Sequence, residues 1–304
     1  FPGQGSQHVR MGLELYRELP ACRAVFEAAD DVLGRPLSRL IFEGRAAELD
    51  QTDNCQPAIS VVNAACFEAV CGRGFNPIAV AGHSLGEYAA CYGAGVFGLS
   101  QLMRLTQARG SLMGKSAKAH PGTMSAVIGL SRTQIEQVVA EAASEGVLCV
   151  ANFNSDDQIV LSGETNALAR AGELALKAGA KRVVSLRVTG AWHSPLMADN
   201  KREFEAVLLT ESFADARCDL YPNVKAERTR SAEEIRRLLA RQYDSSVLWA
   251  ATIRNMIRDY PEAIFVEVGP GRALTGLVLT IDRTRTIYQV DSPRGLDVLV
   301  RKLD

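Results

Sequence analysis

The sequence has few histidines, no paired-cysteine motif and almost no net charge. Only four of its 304 residues are histidines, and none is spaced with Cys, Asp or Glu as metal ligands are, so we expect no metal site. The seven cysteines are odd in number and lack C-x-x-C spacing. This pattern predicts reduced thiols in a cytoplasmic protein rather than a disulfide framework.

Long apolar runs are also missing. No uninterrupted run reaches the roughly 18 residues of a membrane-spanning helix, so we expect no membrane partner. A net charge of −1 argues against nucleic acid or an anionic surface as a partner. No signal peptide is recognisable. Because the chain opens on Phe1 rather than Met, we expect it to belong to a longer chain, with a strand before the Gly-rich opening.

A Gly-His-Ser-Leu-Gly segment with Ser84 at its centre is the most informative feature present. The apolar run 77–81 before it is typical of a buried strand, and the run 87–92 after it is typical of a helix. A G-x-S-x-G spacing between a strand and a helix builds a sharp turn that exposes the serine hydroxyl. We therefore predict that Ser84 is a nucleophile; the alternative is a purely structural turn.

Strands alternate with helices in the two outer parts of the chain. We expect helices at 12–33, 57–72 and 99–118, the last capped by Ser100. Together with the strands at 77–81 and 264–268, they predict a mostly parallel sheet covered on both faces.

The central segment has a different pattern. Between 119 and 188 the order is β-α-β-β-α-β, with strands at 124–129, 147–151, 158–162 and 182–188 and helices at 132–145 and 166–178. The predicted fold class is therefore α/β. We expect an α/β-hydrolase-like large subdomain (1–118 and 189–304) with an inserted ferredoxin-like small subdomain (119–188).

A serine hydroxyl needs a base, and the scarcity of histidine narrows the choice. His83 adjoins the serine, and neighbours on a tight turn point apart. His8 has no strand or cap to fix it, and His120 is most simply a hinge residue. His193, which a Gly precedes and a Ser-Pro pair follows, is favoured, although it could be an ordinary loop histidine. No acid between the two stands out, so a backbone carbonyl or an amide could orient the imidazole.

Six segments together resemble one family. They are Phe1–Gln7, Gly82–Glu87, Ala108–Gly110, Asn152–Ser155, His193–Met197 and Glu267–Gly271. In this order they resemble malonyl-CoA:acyl-carrier-protein transacylase and the acyltransferase domains of polyketide and fatty-acid synthases. The resemblance covers essentially the whole chain.

The resemblance implies a ping-pong acyl transfer through a seryl ester. Ser84 would attack the thioester of malonyl-CoA, with His193 as general base and then general acid. The backbone N–H groups of Gln4 and Leu85 would hold the oxyanion. Gln242 matches the family position whose carbonyl orients the histidine. Coenzyme A enters as the substrate thioester, with no bound cofactor, and the partner is an acyl carrier protein.

The resemblance also concerns four positions around the expected site. Asn152 and Asn154 would lie near the site from the small subdomain. Trp192 stands where malonyl-selective relatives usually have Phe, so it would narrow the pocket beside the acyl α-carbon. Ser246 stands where the family commonly has Pro, which would loosen the loop that carries Gln242.

Arg109 falls in the family's Arg-Gly pair and would bind the free carboxylate of the malonyl group. A planar guanidinium can pair with both carboxylate oxygens at once. The alternative is an exposed helix arginine, as we expect for Arg104. Two other functions remain open at this point: an acyl-thioester hydrolase that uses the same serine and histidine, and a docking domain without activity.

Overall fold

A computed structural model describes residues 1–303. It combines helices with parallel and antiparallel strand pairs, which confirms the α/β class. Its α-helices are α1 (Leu13–Glu18), α2 (Pro20–Leu33), α3 (Leu37–Glu43), α4 (Ala46–Leu49), α5 (Thr52–Cys71), α6 (Gly86–Gly93), α7 (Leu99–Ala119), α8 (Arg132–Ala142), α9 (Thr165–Lys177), α10 (Lys201–Thr210), α11 (Ala232–Gln242), α12 (Trp249–Asp259), α13 (Ala273–Ile281) and α14 (Pro293–Leu303). Its strands are β1 (Ala79–Ala81), β2 (Thr123–Ile128), β3 (Leu148–Phe153), β4 (Gln158–Gly163), β5 (Arg182–Ser185), β6 (Asp219–Tyr221), β7 (Phe265–Val268) and β8 (Ile287–Val290).

Parallel pairing occurs in two separate pairs of strands. β1 pairs with β6, so that Ala81 lies opposite Tyr221, and β7 pairs with β8. An apolar cavity of about 410 Å³ lies between β1 and β7. No strand of residues 1–303 fills that space, so the parallel sheet expected from the sequence is present as two pairs. The carboxyl ends of β1 and β6 lie side by side, which brings the segments that follow them together.

The central segment forms a four-stranded antiparallel sheet in the order β3-β4-β2-β5. α8 and α9 pack with it around a separate apolar cluster that includes Val127, Ile135, Leu161 and Leu168. This cluster gives the segment a core of its own.

The main core lies around α5 and α7. α5 is apolar nearly all round and is buried along most of its length. On α7 the apolar residues Leu102, Leu105, Leu112 and Met113 are buried. Among residues 1–303 we find no helix that is both long and apolar enough to cross a bilayer.

Several predicted boundaries were wrong. The helix expected over 12–33 is two helices, because Leu19 has an extended backbone (φ −114°) and Pro20 starts a new helix. α7 is capped by Gly98, whose N–H bonds to Gln101, rather than by Ser100.

Other differences lie at the ends of elements and of the chain. The helix expected to reach residue 145 finishes as a 3₁₀ turn after Ala142, and the strand expected over 182–188 ends at Ser185. α13, β8 and α14 were not predicted.

Candidate active site

Ser84 lies at the tip of a sharp turn between β1 and α6. Its φ is +50°, in the left-handed region that non-glycine residues rarely adopt. The turn needs glycine at position 82, because a Cβ there would lie 2.0 Å from the Gly86 carbonyl carbon. A strained backbone at a serine is typical of nucleophile turns.

Asn223, which follows β6, holds this turn from the neighbouring strand. Its Oδ1 accepts the Ser84 backbone N–H at 2.7 Å, and its Nδ2 donates to the Gly82 carbonyl at 2.7 Å. The residue is fully buried. One amide therefore satisfies two backbone groups of the turn, and it reaches them because β1 and β6 are parallel and end together.

His193 is the histidine that contacts the serine. Its Nε2 lies 2.6 Å from Ser84 Oγ, and its Nδ1 lies 3.0 Å from the backbone carbonyl of Gln242. Because a carbonyl can only accept, Nδ1 carries the ring proton and Nε2 presents its lone pair to the hydroxyl. Burial, followed by the Arg109 cation, lowers the pKa of His193 to about 3. The imidazole is therefore neutral at ordinary pH and able to take a proton.

Arg109 reaches the site from α7 and is almost completely buried, at 1% exposure. Its Nη2 donates to Ser84 Oγ at 3.3 Å and to Gln242 Oε1 at 3.1 Å, and its Nη1 donates to Gln56 Oε1 at 2.8 Å. All of these acceptors are neutral.

Arg109 and Arg104 lie on the same helix but differ in their partners. No carboxylate of residues 1–303 forms a salt bridge with Arg109, and its Nε has no hydrogen-bond partner there. Arg104 is half exposed and paired with Glu211. A buried guanidinium that forms no direct ion pair with a carboxylate, beside a serine hydroxyl, is suited to an anionic ligand.

The glycine-rich opening lies directly against the turn. Phe1 O accepts the His83 N–H at 3.0 Å, and a Cβ on Gly86 would lie 2.1 Å from that same Phe1 O. Neither Gln4 nor Leu85 uses its backbone N–H in a hydrogen bond to another residue of the 1–303 range. Leu85 stands at the N-terminus of α6, where N–H groups and the helix dipole favour negative charge.

The remaining predicted residues lie around this centre. Asn154 Oδ1 lies 2.8 Å from His83 Nε2, so it touches the residue before the serine. Asn152 bridges to Val247 through its backbone, and its side chain makes no hydrogen bond to the serine or to His193. Trp192 is buried with its ring against Gly190.

Ser246 stands in the loop between α11 and α12, and the loosening expected from its replacement of a proline remains a prediction. Its Oγ donates to the Val150 carbonyl at 2.6 Å and ties the loop to β3.

Three site residues were missed by sequence reasoning: Gln56, Glu87 and Asn223. Each carries a weak signal: Gln56 stands just before the apolar part of α5, Glu87 opens the apolar run of α6, and Asn223 lies two residues after the buried strand β6. Glu87 accepts hydrogen bonds from the Gln242 side chain and the Asn223 backbone, and burial raises its pKa to about 7.

Residues 1–303 contain no group of His, Cys, Asp and Glu that could hold a metal ion. All seven cysteines are unpaired. The assembled chemistry is thus a serine, a neutral histidine oriented by a carbonyl, two free N–H donors and a buried cation, which together suit acyl transfer.

Comparison with known proteins gives a consistent result. The acyl transferase domain family matches residues 1–284. The malonyl CoA-acyl carrier protein transacylase of Bacillus subtilis is 36% identical over all of this chain and 96% of its own length. The solved transacylase of that name from Coxiella burnetii is 34% identical, with a TM-score of 0.96 over 100% of this chain and 96% of its own.

A third relative was solved with its partner. It is a malonyl-transacylase in complex with a type II polyketide acyl-carrier protein, 35% identical, with a TM-score of 0.95 over 99% of this chain and 98% of its own. The resemblance noted in the sequence is therefore confirmed, and this chain belongs to the acyl transferase domain family, among the malonyl-CoA:acyl-carrier-protein transacylases.

Proposed function

We propose that this protein transfers a malonyl group from coenzyme A to the phosphopantetheine thiol of an acyl carrier protein, in fatty-acid or polyketide synthesis. Its relatives carry that activity in their names, and one was solved with a carrier protein bound. The observation that carries the proposal is Arg109, a buried cation without a carboxylate partner in the described chain, 3.3 Å from the hydroxyl of Ser84.

In the first half-reaction, His193 Nε2 takes the proton of Ser84 as Oγ attacks the thioester carbonyl. The oxyanion is held by the backbone N–H groups of Gln4 and Leu85, and removal of one such donor elsewhere costs about 3–4 kcal/mol. When the tetrahedral intermediate collapses, the C–S bond breaks and His193 returns the proton to the leaving thiolate. The Gln242 carbonyl keeps the imidazole in the required tautomer throughout.

The second half-reaction runs the same steps with the carrier protein's thiol. His193 takes the thiol proton, the sulfur attacks the seryl ester, and the oxyanion again forms at the two N–H groups. Collapse breaks the bond to Ser84 Oγ, which recovers its proton from His193.

Arg109 gives the site its preference for an acid-bearing acyl group. Two parallel N–H···O bonds to the malonyl carboxylate would replace its neutral acceptors. Trp192, Asn152 and Asn154 belong to the surroundings of the substrate, with Trp192 narrowing the space beside the acyl α-carbon so that a branched methylmalonyl unit is disfavoured.

We also propose that the chain is divided into two subdomains. We assign 1–118 and 189–304 to an α/β-hydrolase-like large subdomain and 119–188 to a ferredoxin-like small subdomain. The sheet order β3-β4-β2-β5 and the separate apolar cluster support this division. We further propose a cytoplasmic enzyme that binds neither metal nor resident cofactor, in keeping with its unpaired cysteines.

The test is intact-mass spectrometry after mixing the protein separately with malonyl-CoA, acetyl-CoA and methylmalonyl-CoA. We expect a malonyl adduct that is absent in Ser84→Ala and that passes to a holo carrier protein when one is added. Release of the acyl group to water at the same rate with and without the carrier would instead identify a hydrolase.

Arg109→Ala and Arg104→Ala form a matched pair for the acyl preference. Hydrogen bonds to charged groups contribute about 1.5–3 kcal/mol each, so loss of two should slow malonyl transfer by about 10²-fold or more. Arg104→Ala should leave it unchanged, because Arg104 pairs with Glu211 away from the site. Equal loss of malonyl and acetyl transfer in Arg109→Ala would contradict the carboxylate role.

A further inference from the structure

The side-chain amide of Gln242 is held in one orientation by its hydrogen-bond partners. Its Nε2 donates to Glu87 Oε2 at 2.7 Å and to the Ser84 carbonyl at 2.8 Å. Both acceptors demand the amide nitrogen, so the amide oxygen must face the other way, and there it accepts from Arg109. If the amide were flipped, Gln242 Nε2 would face Arg109 Nη2, and these two donors could not form a hydrogen bond.

Glu87 is thus linked to Arg109 through a single amide. It is fully buried in the first turn of α6. The charged or titratable groups that face it are Arg109 from α7 and, on its own helix, Tyr88 and Cys91. Burial raises the pKa of both Tyr88 and Cys91, so both stay neutral, and within residues 1–303 Arg109 is the one cation that faces Glu87.

We infer that Glu87 is a positioning residue and serves as the internal counter-charge of Arg109. An incoming acyl carboxylate replaces Glu87 in this role. The inference rests on the proposed malonyl transfer. In the free enzyme, the Glu87 carboxylate holds the Gln242 amide and balances the buried guanidinium. When the substrate carboxylate pairs with Arg109, two anions share one cation, and Glu87 takes a proton from solvent. Its Oε1 has no hydrogen-bond partner in residues 1–303 and is free to carry that proton.

This exchange has a definite pH signature. Burial sets the pKa of Glu87 in the free enzyme at about 7, and a second anion at Arg109 would raise it further. At a pH above the pKa of Glu87 in the free enzyme, the malonyl complex then binds more protons than the free enzyme does. The KM for malonyl-CoA should therefore rise with pH above about 7, by at most about tenfold per pH unit for one proton. Acetyl-CoA has no carboxylate and should show no such rise.

Glu87→Gln removes the charge but keeps an oxygen that can accept from Gln242 and Asn223. We expect it to fold with an unchanged melting temperature within a few degrees, to form the malonyl adduct, and to have a KM for malonyl-CoA that is flat across the same pH range. A variant that keeps the wild-type pH dependence, or a wild-type enzyme whose acetyl-CoA KM rises equally, would overturn the inference.

A second measurement does not depend on that variant. Binding of malonyl-CoA to Ser84→Ala, followed by calorimetry in two buffers of different ionisation enthalpy, should show proton uptake that acetyl-CoA does not cause. Absence of uptake refutes the exchange. If uptake persists in Ser84→Ala/Glu87→Gln, the proton goes to another group, such as His193, and the inference also fails. Failure to form any malonyl adduct in the wild type would instead reject the proposed function.

Discussion

Removal of the Asn223 side chain should damage both the stability of the protein and its reactivity. In Asn223→Ala the Ser84 N–H and the Gly82 carbonyl each lose their side-chain partner. Both lie at a turn where Ser84 already adopts a left-handed backbone. The variant therefore separates the geometry of the turn from the chemistry of the serine, which is unchanged.

The expected size follows from the groups left unpaired. A buried donor or acceptor without a partner costs about 1–3 kcal/mol, so two such groups lower the free energy of unfolding by about 2–6 kcal/mol. The Ser84 backbone can also relax from its strained conformation, which moves Oγ relative to His193 Nε2. A displacement of about 1 Å is enough to slow a reaction by about 10²-fold.

The assay combines urea unfolding with the rate of malonyl-adduct formation. Asn200→Ala is the matched control, because Asn200 is also a buried asparagine but, among the described residues, its side chain bonds only to Ser116, away from the turn. It should lose about 1–3 kcal/mol, for the one buried group it leaves unpaired, and acylate at the wild-type rate. If Asn223→Ala resembles Asn200→Ala in both measurements, Asn223 does not hold the turn in its reactive geometry.

Two further outcomes follow from the site. Burial and the Arg109 cation lower the pKa of His193 to about 3. The acylation rate at saturating malonyl-CoA, measured by rapid quench, should therefore stay level between about pH 8 and about pH 5. A decline in that rate with a midpoint near the ordinary histidine pKa would contradict this. Gly86→Ala places a Cβ 2.1 Å from the Phe1 carbonyl, whereas a Cβ at Gly276 meets nothing within 4 Å. The first variant should therefore lose adduct formation and thermal stability while Gly276→Ala keeps both, and equal behaviour of the two would argue against close contact of the opening with the turn.

The local parts of the site could be predicted because their signals are local. The strand, the turn and the helix around Ser84 are contiguous in sequence, and only four histidines compete for the role of base. The order of elements between 119 and 188 likewise predicts an antiparallel sheet, which is present. The position of Arg109 was expected from its resemblance to the family rather than from the helix pattern, since periodicity alone does not distinguish it from Arg104.

The supporting residues could not be predicted, because their partners lie far away in sequence. Asn223 bonds to Ser84 across 139 positions, and Gln242 bonds to Glu87 across 155. A buried glutamate in an apolar helix also looks unfavourable until its partners are known. The element boundaries failed for a different reason: a single residue, such as Leu19 or Gly98, decides where a helix begins, and tertiary contacts override weak propensities there.

The central segment supports the site mainly through backbone contacts. The Val247 N–H donates to the Ala151 carbonyl, and the Val247 carbonyl accepts the Phe153 N–H, both at 2.8–2.9 Å. Ser246 adds a third bond to the same strand. This loop directly follows Gln242, whose carbonyl orients His193, so β3 restrains the chain next to that residue. The antiparallel sheet therefore contributes rigidity to the base, whereas the groups that perform the chemistry all come from the outer parts of the chain.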